Sequence, residues 1–138
     1  MALRLAQNLK PPLLIELVGD LGGGKTAFVK ALGRALGVEK TIVSPTFTIH
    51  QSYKTPSGGS LEHFDLYRLT DDQLVQNELA DSLENGNSVV CVEWAEHFHS
   101  HLSNDRLVIK FEFVNDDSRK LTLNAMGPKS RGLLEAIK

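Results

Sequence analysis

Three features of the sequence predict an α/β domain of three layers, built on a mixed parallel and antiparallel sheet of the P-loop NTPase type. The first is an almost unbroken apolar run, Leu13–Val18, followed by the glycine-rich stretch 19–24 and then by helical periodicity over residues 25–36. The second is another apolar run, Val89 to Val92, that ends on the acid Glu93. The third is a pair of hairpin signatures around Pro56-Ser-Gly-Gly59 and Asn115-Asp-Asp117, which supply antiparallel strands to an otherwise parallel centre. A chain of 138 residues suits one domain spanning 1–138, which buries roughly two-thirds of its unfolded surface.

Taken in order, Ala2, Leu5, Ala6 and Leu9 recur at helical spacing, and Pro11 and Pro12 end that short helix. Leu13–Val18 then reads as a strand buried on both faces, and residues 19–24 as the loop after it. In the helix that follows, Phe28, Leu32, Ala35 and Leu36 share one face, Lys30 and Arg34 lie outside, and Gly37 marks the stop. Residues 43–48 form a loop punctuated by Pro45, after which 47–53 is expected to pair with 61–67 as an antiparallel hairpin. Thr70 with Gln73 spells a capping box opening a helix towards Leu83, and Asn85-Gly-Asn87 a turn. Ser88–Glu93 is expected as a second central strand delivering a carboxylate at its C-terminal end, where open α/β sheets bind ligands. Residues 107–114 and 121–124 make the late hairpin, and 129–138 a closing helix with Leu133, Leu134 and Ile137 inward.

A formal net charge of -2, from 15 basic and 17 acidic residues, carries no global footprint for nucleic acid or an anionic membrane. No strong direct nucleic-acid binding is therefore expected, and any connection to RNA would run through partners. Cys91 is the single cysteine, so neither an intrachain disulfide nor a multi-cysteine zinc site is expected. With no signal-peptide pattern or spanning apolar run in the first residues, a cytoplasmic protein without membrane attachment is expected.

Gly19-Asp-Leu-Gly-Gly-Gly24-Lys25-Thr26 fits the pattern G-x-x-x-x-G-K-S/T in full and lies between a predicted strand and a predicted helix. Each part answers a need of a triphosphate. Glycines let backbone N–H groups converge on an anion, and the helix N-terminus adds partial positive charge. Lys25 brings a cation to the terminal phosphates and the Thr26 hydroxyl a ligand for Mg²⁺. The nucleotide-binding set is read as Asp20, Leu21, Gly22, Gly23, Gly24, Lys25, Thr26 and Ala27, with ATP and Mg²⁺ as the expected ligands. Lys25 is expected to stand on an exposed loop and serve only the phosphates, so that its loss leaves the fold intact. Two acids are candidates to complete the site: Glu93, in a Walker-B-like position or simply a solvated strand end, and Asp65, a water-orienting group or else a turn cap or ion-pair partner of Arg68. Guanine-reading motifs are missing, which favours ATP. His97, His99 and His101 alternate along a loop in a spacing that does not converge on a metal, and are expected to be solvated.

With these pieces in place the chain resembles the bacterial TsaE (formerly YjeE) family, the ATPase of tRNA threonylcarbamoyladenosine biosynthesis. The carriers are the glycine-loop motif, Val43-Ser-Pro-Thr-Phe-Thr48, His63-Phe-Asp-Leu-Tyr-Arg68 and Val92-Glu-Trp-Ala-Glu96, spread over residues 13–123. The resemblance implies Lys25 and Thr26 as phosphate and Mg²⁺ contacts, Glu93 as the second protein ligand of Mg²⁺, and Asp65 as a water-orienting or metal-shell acid. It also implies Trp94 beside the nucleotide, Ser44-Pro45-Thr46 as a switch-like segment, and Arg119 as a late-hairpin residue that reaches the nucleotide. Its implied partners are the TsaB and TsaD proteins, with transfer of the threonylcarbamoyl group residing in TsaD. In one departure the family's proline after the Glu-Trp segment is missing, with Asn104 near its place.

Two other readings share the same loop. A small-molecule P-loop kinase would need an arginine-rich lid, and no run with several arginines is evident. A nucleotide-gated binding module would look the same in sequence as a slow ATPase. Lys25, Mg²⁺ and the loop amides can neutralise ground-state phosphates, but the chain holds little more for the transition state, with Arg68 the nearest motif arginine, so in isolation it is expected to be a weak ATPase that depends on partners.

Overall fold

In a computed structural model of the chain, which describes residues 1–20, 22–67, 69–70 and 72–138, one six-stranded sheet runs in the order β2-β3-β4-β1-β5-β6. Its strands are β1 (Leu13–Val18), β2 (His50–Lys54), β3 (Ser60–Asp65), β4 (Ser88–Glu93), β5 (Leu107–Asn115) and β6 (Ser118–Ala125). The four central strands β3, β4, β1 and β5 are mutually parallel. At the edges β2 and β6 pair antiparallel, each with its hairpin neighbour. The helices are α1 (Ala2–Asn8), α2 (Lys25–Ala35), α3 (Gln73–Glu84) and α4 (Pro128–Ala136). The mixed α/β architecture expected from the sequence is the one found.

Strand periodicity sorts the core into two layers. On one side Leu13, Ile15 and Leu17 of β1, with Leu61, Val89 and Cys91, pack against Leu5 of α1, Phe28, Val29 and Leu32 of α2, and Leu133 of α4. On the other, Leu14, Phe64, Val90 and Val92 pack under Val75 and Leu79 of α3 and under Phe98. β4, the most enclosed strand, is buried at every position. Each completely buried leucine in such a layer contributes about 2 kcal/mol. Cys91 lies in this core, where burial pushes its thiol pKa up. Among the described residues no helix is long and apolar enough to cross a membrane.

Two local expectations are corrected. α3 is capped by Asp72, whose side chain accepts from the N–H groups of Leu74 and Val75, and not by Thr70. A carboxylate at the residue directly before the helix reaches those donors without distortion. Secondly, β2 begins only at His50, because Ile49 has φ +68° and its N–H turns back to the Pro45 carbonyl at 2.6 Å. Residues 47–49 therefore belong to the loop, and Phe47 is 98% exposed.

α4 starts on Gly127, which has no side chain to cap it. Asp105, from the loop before β5, supplies the missing acceptors to the N–H of Lys129 (2.7 Å), the N–H of Ser130 (3.0 Å) and the Ser130 hydroxyl (2.7 Å). Partial burial pushes the Asp105 carboxyl up, but these hydrogen bonds outweigh it and hold the pKa below the ordinary aspartate value. A carboxyl depressed in the folded state stabilises above the unfolded value of about 3.9 and loses that contribution as pH falls through the folded value. Asp105→Ala is expected to cost about 1 kcal/mol at neutral pH, lowering Tm by roughly 3 to 5 °C. Asp105→Asn should in addition flatten the acid limb of the Tm–pH profile, measured by calorimetry between about pH 2 and 5.

Candidate active site

The parallel ladder puts three strand ends side by side: Asp65 of β3 pairs with Glu93 of β4, and Glu93 with Leu17 of β1. Paired residues in a ladder face the same side, so both carboxylates point to the layer that holds α2. The chain leaves β1 at Gly19 and turns through the glycine loop into α2. Gly22 (φ +73°) and Gly24 (φ +97°) take left-handed conformations there that a side chain would strain. Lys25 is the first residue of α2 and Thr26 the second.

Lys25 is only 4% exposed, contrary to the expectation of an exposed loop residue. Its ammonium donates to the carbonyls of Gly19 (2.5 Å) and Asp20 (3.1 Å) and lies 4.2 Å from the centroid of the Trp94 ring. The ammonium is thus a brace across its own loop, so its removal is expected to loosen the loop as well as to remove a charge. Burial lowers its pKa below the ordinary lysine value, opposed by the charges of Glu93, Asp65, Asp20 and Glu96.

A cavity of about 350 Å³ is lined by Gly22, Gly23, Gly24, Lys25, Thr26, Ala27, Ser44, Thr46, Asp65, Glu93 and Trp94. Most of the residues singled out in the sequence, from four separate segments, meet on this one hollow. Asp65 is 8% exposed; one oxygen accepts from the Thr46 hydroxyl (3.2 Å), the other from the Tyr67 N–H (3.0 Å). The second bond is the turn cap that the sequence allowed, and the first ties the acid to the 44–46 loop. Glu93 is 3% exposed and engages His63 Nε2 at 2.6 Å through Oε2. Trp94, at φ +58°, breaks the strand immediately after Glu93.

On the far side of Gly22, Gly23 and Trp94 lies a larger cavity of about 720 Å³, walled by Phe111, Phe113, Arg119, Glu16 and His99 and reached by Asp20. Asp20 and Arg119 stand on this cavity and not on the smaller one. Arg119 donates to the carbonyls of Asn115 (2.8 Å) and Ser118 (3.0 Å), and its guanidinium covers the Phe113 ring at 4.9 Å. Leu21 and Arg68, both named from the sequence, lie outside the described residues. His97, His99 and His101 do not converge, and no metal-holding cluster of His, Cys, Asp or Glu occurs among the described residues. His99 is nevertheless not merely solvated: its Nε2 meets Glu16 at 2.6 Å.

The sequence model described as "Threonylcarbamoyl adenosine biosynthesis protein TsaE" matches residues 1–121. The chain belongs to the TsaE family. It is 36% identical over 128 residues to the TsaE protein of Bacillus subtilis, covering 93% of this chain and 79% of that one. With the TsaE protein of Streptomyces coelicolor it shares 35% identity over 133 residues, covering 91% and 88%. Among solved structures it superposes on the crystal structure of Bacillus subtilis YdiB with a TM-score of 0.79 at 33% identity, covering 99% of this chain and 83% of that one. The TsaE family is one of tRNA threonylcarbamoyladenosine biosynthesis.

The sequence singled out Asp65 and Glu93 of this TsaE chain but not His63, which lies under Glu93, nor the buried Glu16. A period-two count back from Asp65 puts His63 on the same face of β3, a signal available in the sequence. Nothing local in the sequence marks its partner. Since the Glu93 charge raises the pKa of Lys25, Glu93→Gln is expected to lower it further. NMR titration of the ¹³C-methylated lysine side chains tests this, and an unchanged Lys25 titration would dissociate the two groups.

Proposed function

We propose that this TsaE chain binds Mg-ATP on the glycine loop and hydrolyses it slowly in support of a TsaB–TsaD-like complex that forms threonylcarbamoyladenosine on tRNA. The observation that carries the reading is the meeting of a buried ammonium, a threonine hydroxyl and two strand-end carboxylates on the hollow of the glycine loop. The donor set suits Mg²⁺: oxygen ligands from one hydroxyl and one or two carboxylates, completed by phosphate and water, rather than an all-protein cage. Thr26 and Glu93 would hold the ion. Bound there, it would withdraw charge from the phosphate oxygens.

In this reading the N–H groups of residues 22–27 receive the phosphates at the start of α2. Lys25 exchanges the carbonyls of Gly19 and Asp20 for phosphate oxygens, which removes its ammonium from the face of Trp94. Asp65 orients a water whose oxygen bonds to the terminal phosphorus as the bridging bond breaks, releasing ADP, phosphate and a proton. The larger cavity, with Phe111, Phe113 and Arg119, takes the nucleoside. Asp65 is bonded to Thr46, so the 44–48 loop is coupled to the occupancy of the site. ATP and partner binding should then strengthen each other, since coupling of binding equilibria is reciprocal.

Lys25→Ala is expected to weaken ATP affinity on the order of tenfold to a hundredfold with a modest fall in Tm, both read by calorimetry. A variant that binds ATP like the parent would sink the phosphate-loop assignment. Addition of Mg-ATP to the parent should change the fluorescence of Trp94, the single tryptophan. Glu93→Gln should slow single-turnover phosphate release on the order of 100-fold while sparing metal-free nucleotide binding. Comparing release with and without TsaB and TsaD tests partner dependence. Absence of release in both, with partner affinity still set by ATP against ADP, would instead make the chain a nucleotide-gated binding module.

A further inference from the structure

His63 is completely buried, two residues before Asp65 on the same face of β3, and its ladder partner on β4 is Cys91. Its Nε2 lies 2.6 Å from Glu93 Oε2. Among the described residues its Nδ1, also buried, has no hydrogen-bond partner. These facts together assign the proton: a bare Nε2 would set one lone pair against another at that distance, and a proton on Nδ1 would be a buried donor with no acceptor. The imidazole is therefore a donor to the carboxylate through Nε2.

A hydrogen-bond half left empty in the core does not favour stability, because an unmatched buried polar atom forfeits its hydration. An apolar side chain of similar volume would fill the same space without that loss. What His63 provides that such a side chain would not is a fixed donor beneath one oxygen of Glu93. It holds the carboxylate rotamer at the end of β4 and leaves Oε1 as the oxygen open to a ligand. Carboxylates that bind metals are commonly held in this way by a second group.

We propose that His63 is a positioning residue for the divalent cation: it orients Glu93 without touching nucleotide or metal. The proposal rests on the reading of Glu93 as a cation ligand, and the experiment separates the two. Mn²⁺ affinity is measured by EPR on the full chain saturated with a non-hydrolysable ATP analogue, for the parent, His63→Gln, His63→Met and Glu93→Gln. Glutamine keeps an N–H near the Nε2 position, whereas methionine has similar size and no donor. His63→Met should lose about 10- to 100-fold in Mn²⁺ affinity, His63→Gln should stay near the parent, and nucleotide affinity in EDTA should be equal in all four. The melting temperature of His63→Met should not fall below that of His63→Gln. Equal Mn²⁺ affinity in the Met and Gln variants, with Glu93→Gln impaired, would overturn the positioning role and leave the site reading standing. A parallel loss of EDTA nucleotide affinity in His63→Met would also overturn it, as a general structural effect. An unimpaired Glu93→Gln would overturn the site reading and the proposal with it.

Discussion

Three charged side chains from different segments, Lys25, Asp65 and Glu93, are each more than nine-tenths buried at the C-terminal edge of the sheet. Two carboxylates on neighbouring strands repel, and taking either from water costs several kcal/mol. Among the described residues the ammonium of Lys25 is the cation brought to them, and both carboxylates in turn raise its pKa against the lowering effect of burial. The loop geometry, the start of α2 and the break after β4 all serve to keep that ammonium in place. Its two carbonyl partners, Gly19 and Asp20, belong to the loop that it braces.

The opposite face of β1 repeats the problem in another form. Glu16 is 4% exposed in the central strand and is matched by Arg106 Nε at 2.8 Å and His99 Nε2 at 2.6 Å. These bonds tie the segment between β4 and β5 to the middle of the sheet. Truncating either partner would leave a buried carboxylate partly unpaired, whereas the surface pair of Lys138 with Glu135 contributes little. The larger cavity lies along this tied segment, so its wall is set by an ion pair and not by loop packing alone.

Among the described residues no ion pair anchors the 44–48 loop, whose ends are tied by hydrogen bonds such as that from the Ile49 N–H to the Pro45 carbonyl. The loop holds to the site through the Thr46 bond to Asp65, while Phe47 projects almost wholly into solvent. A loop with few buried contacts opens at low free-energy cost. Its single polar link to a strand-end acid is the kind of contact that phosphate or metal chemistry nearby would strengthen or release.

Local order was legible in the residues themselves. The apolar runs of β1 and β4, the glycine loop, the periodicity of α2 and both hairpin turns are contiguous patterns, and backbone sterics with side-chain period suffice to read them. The limits of that reading were also local. Thr70 and Asp72 are both competent caps, and only the path of the chain chose Asp72. Residues 47–49 have strand-forming side chains, yet Ile49 turns into the left-handed region. Tertiary structure alone decided which polar side chains meet: His63 with Glu93 across 30 residues, Glu16 with His99 across 83 and with Arg106 across 90. A sequence pattern records which way a side chain faces, but not what the next strand brings opposite it. That depends on sheet order and register, which are set by the whole core at once.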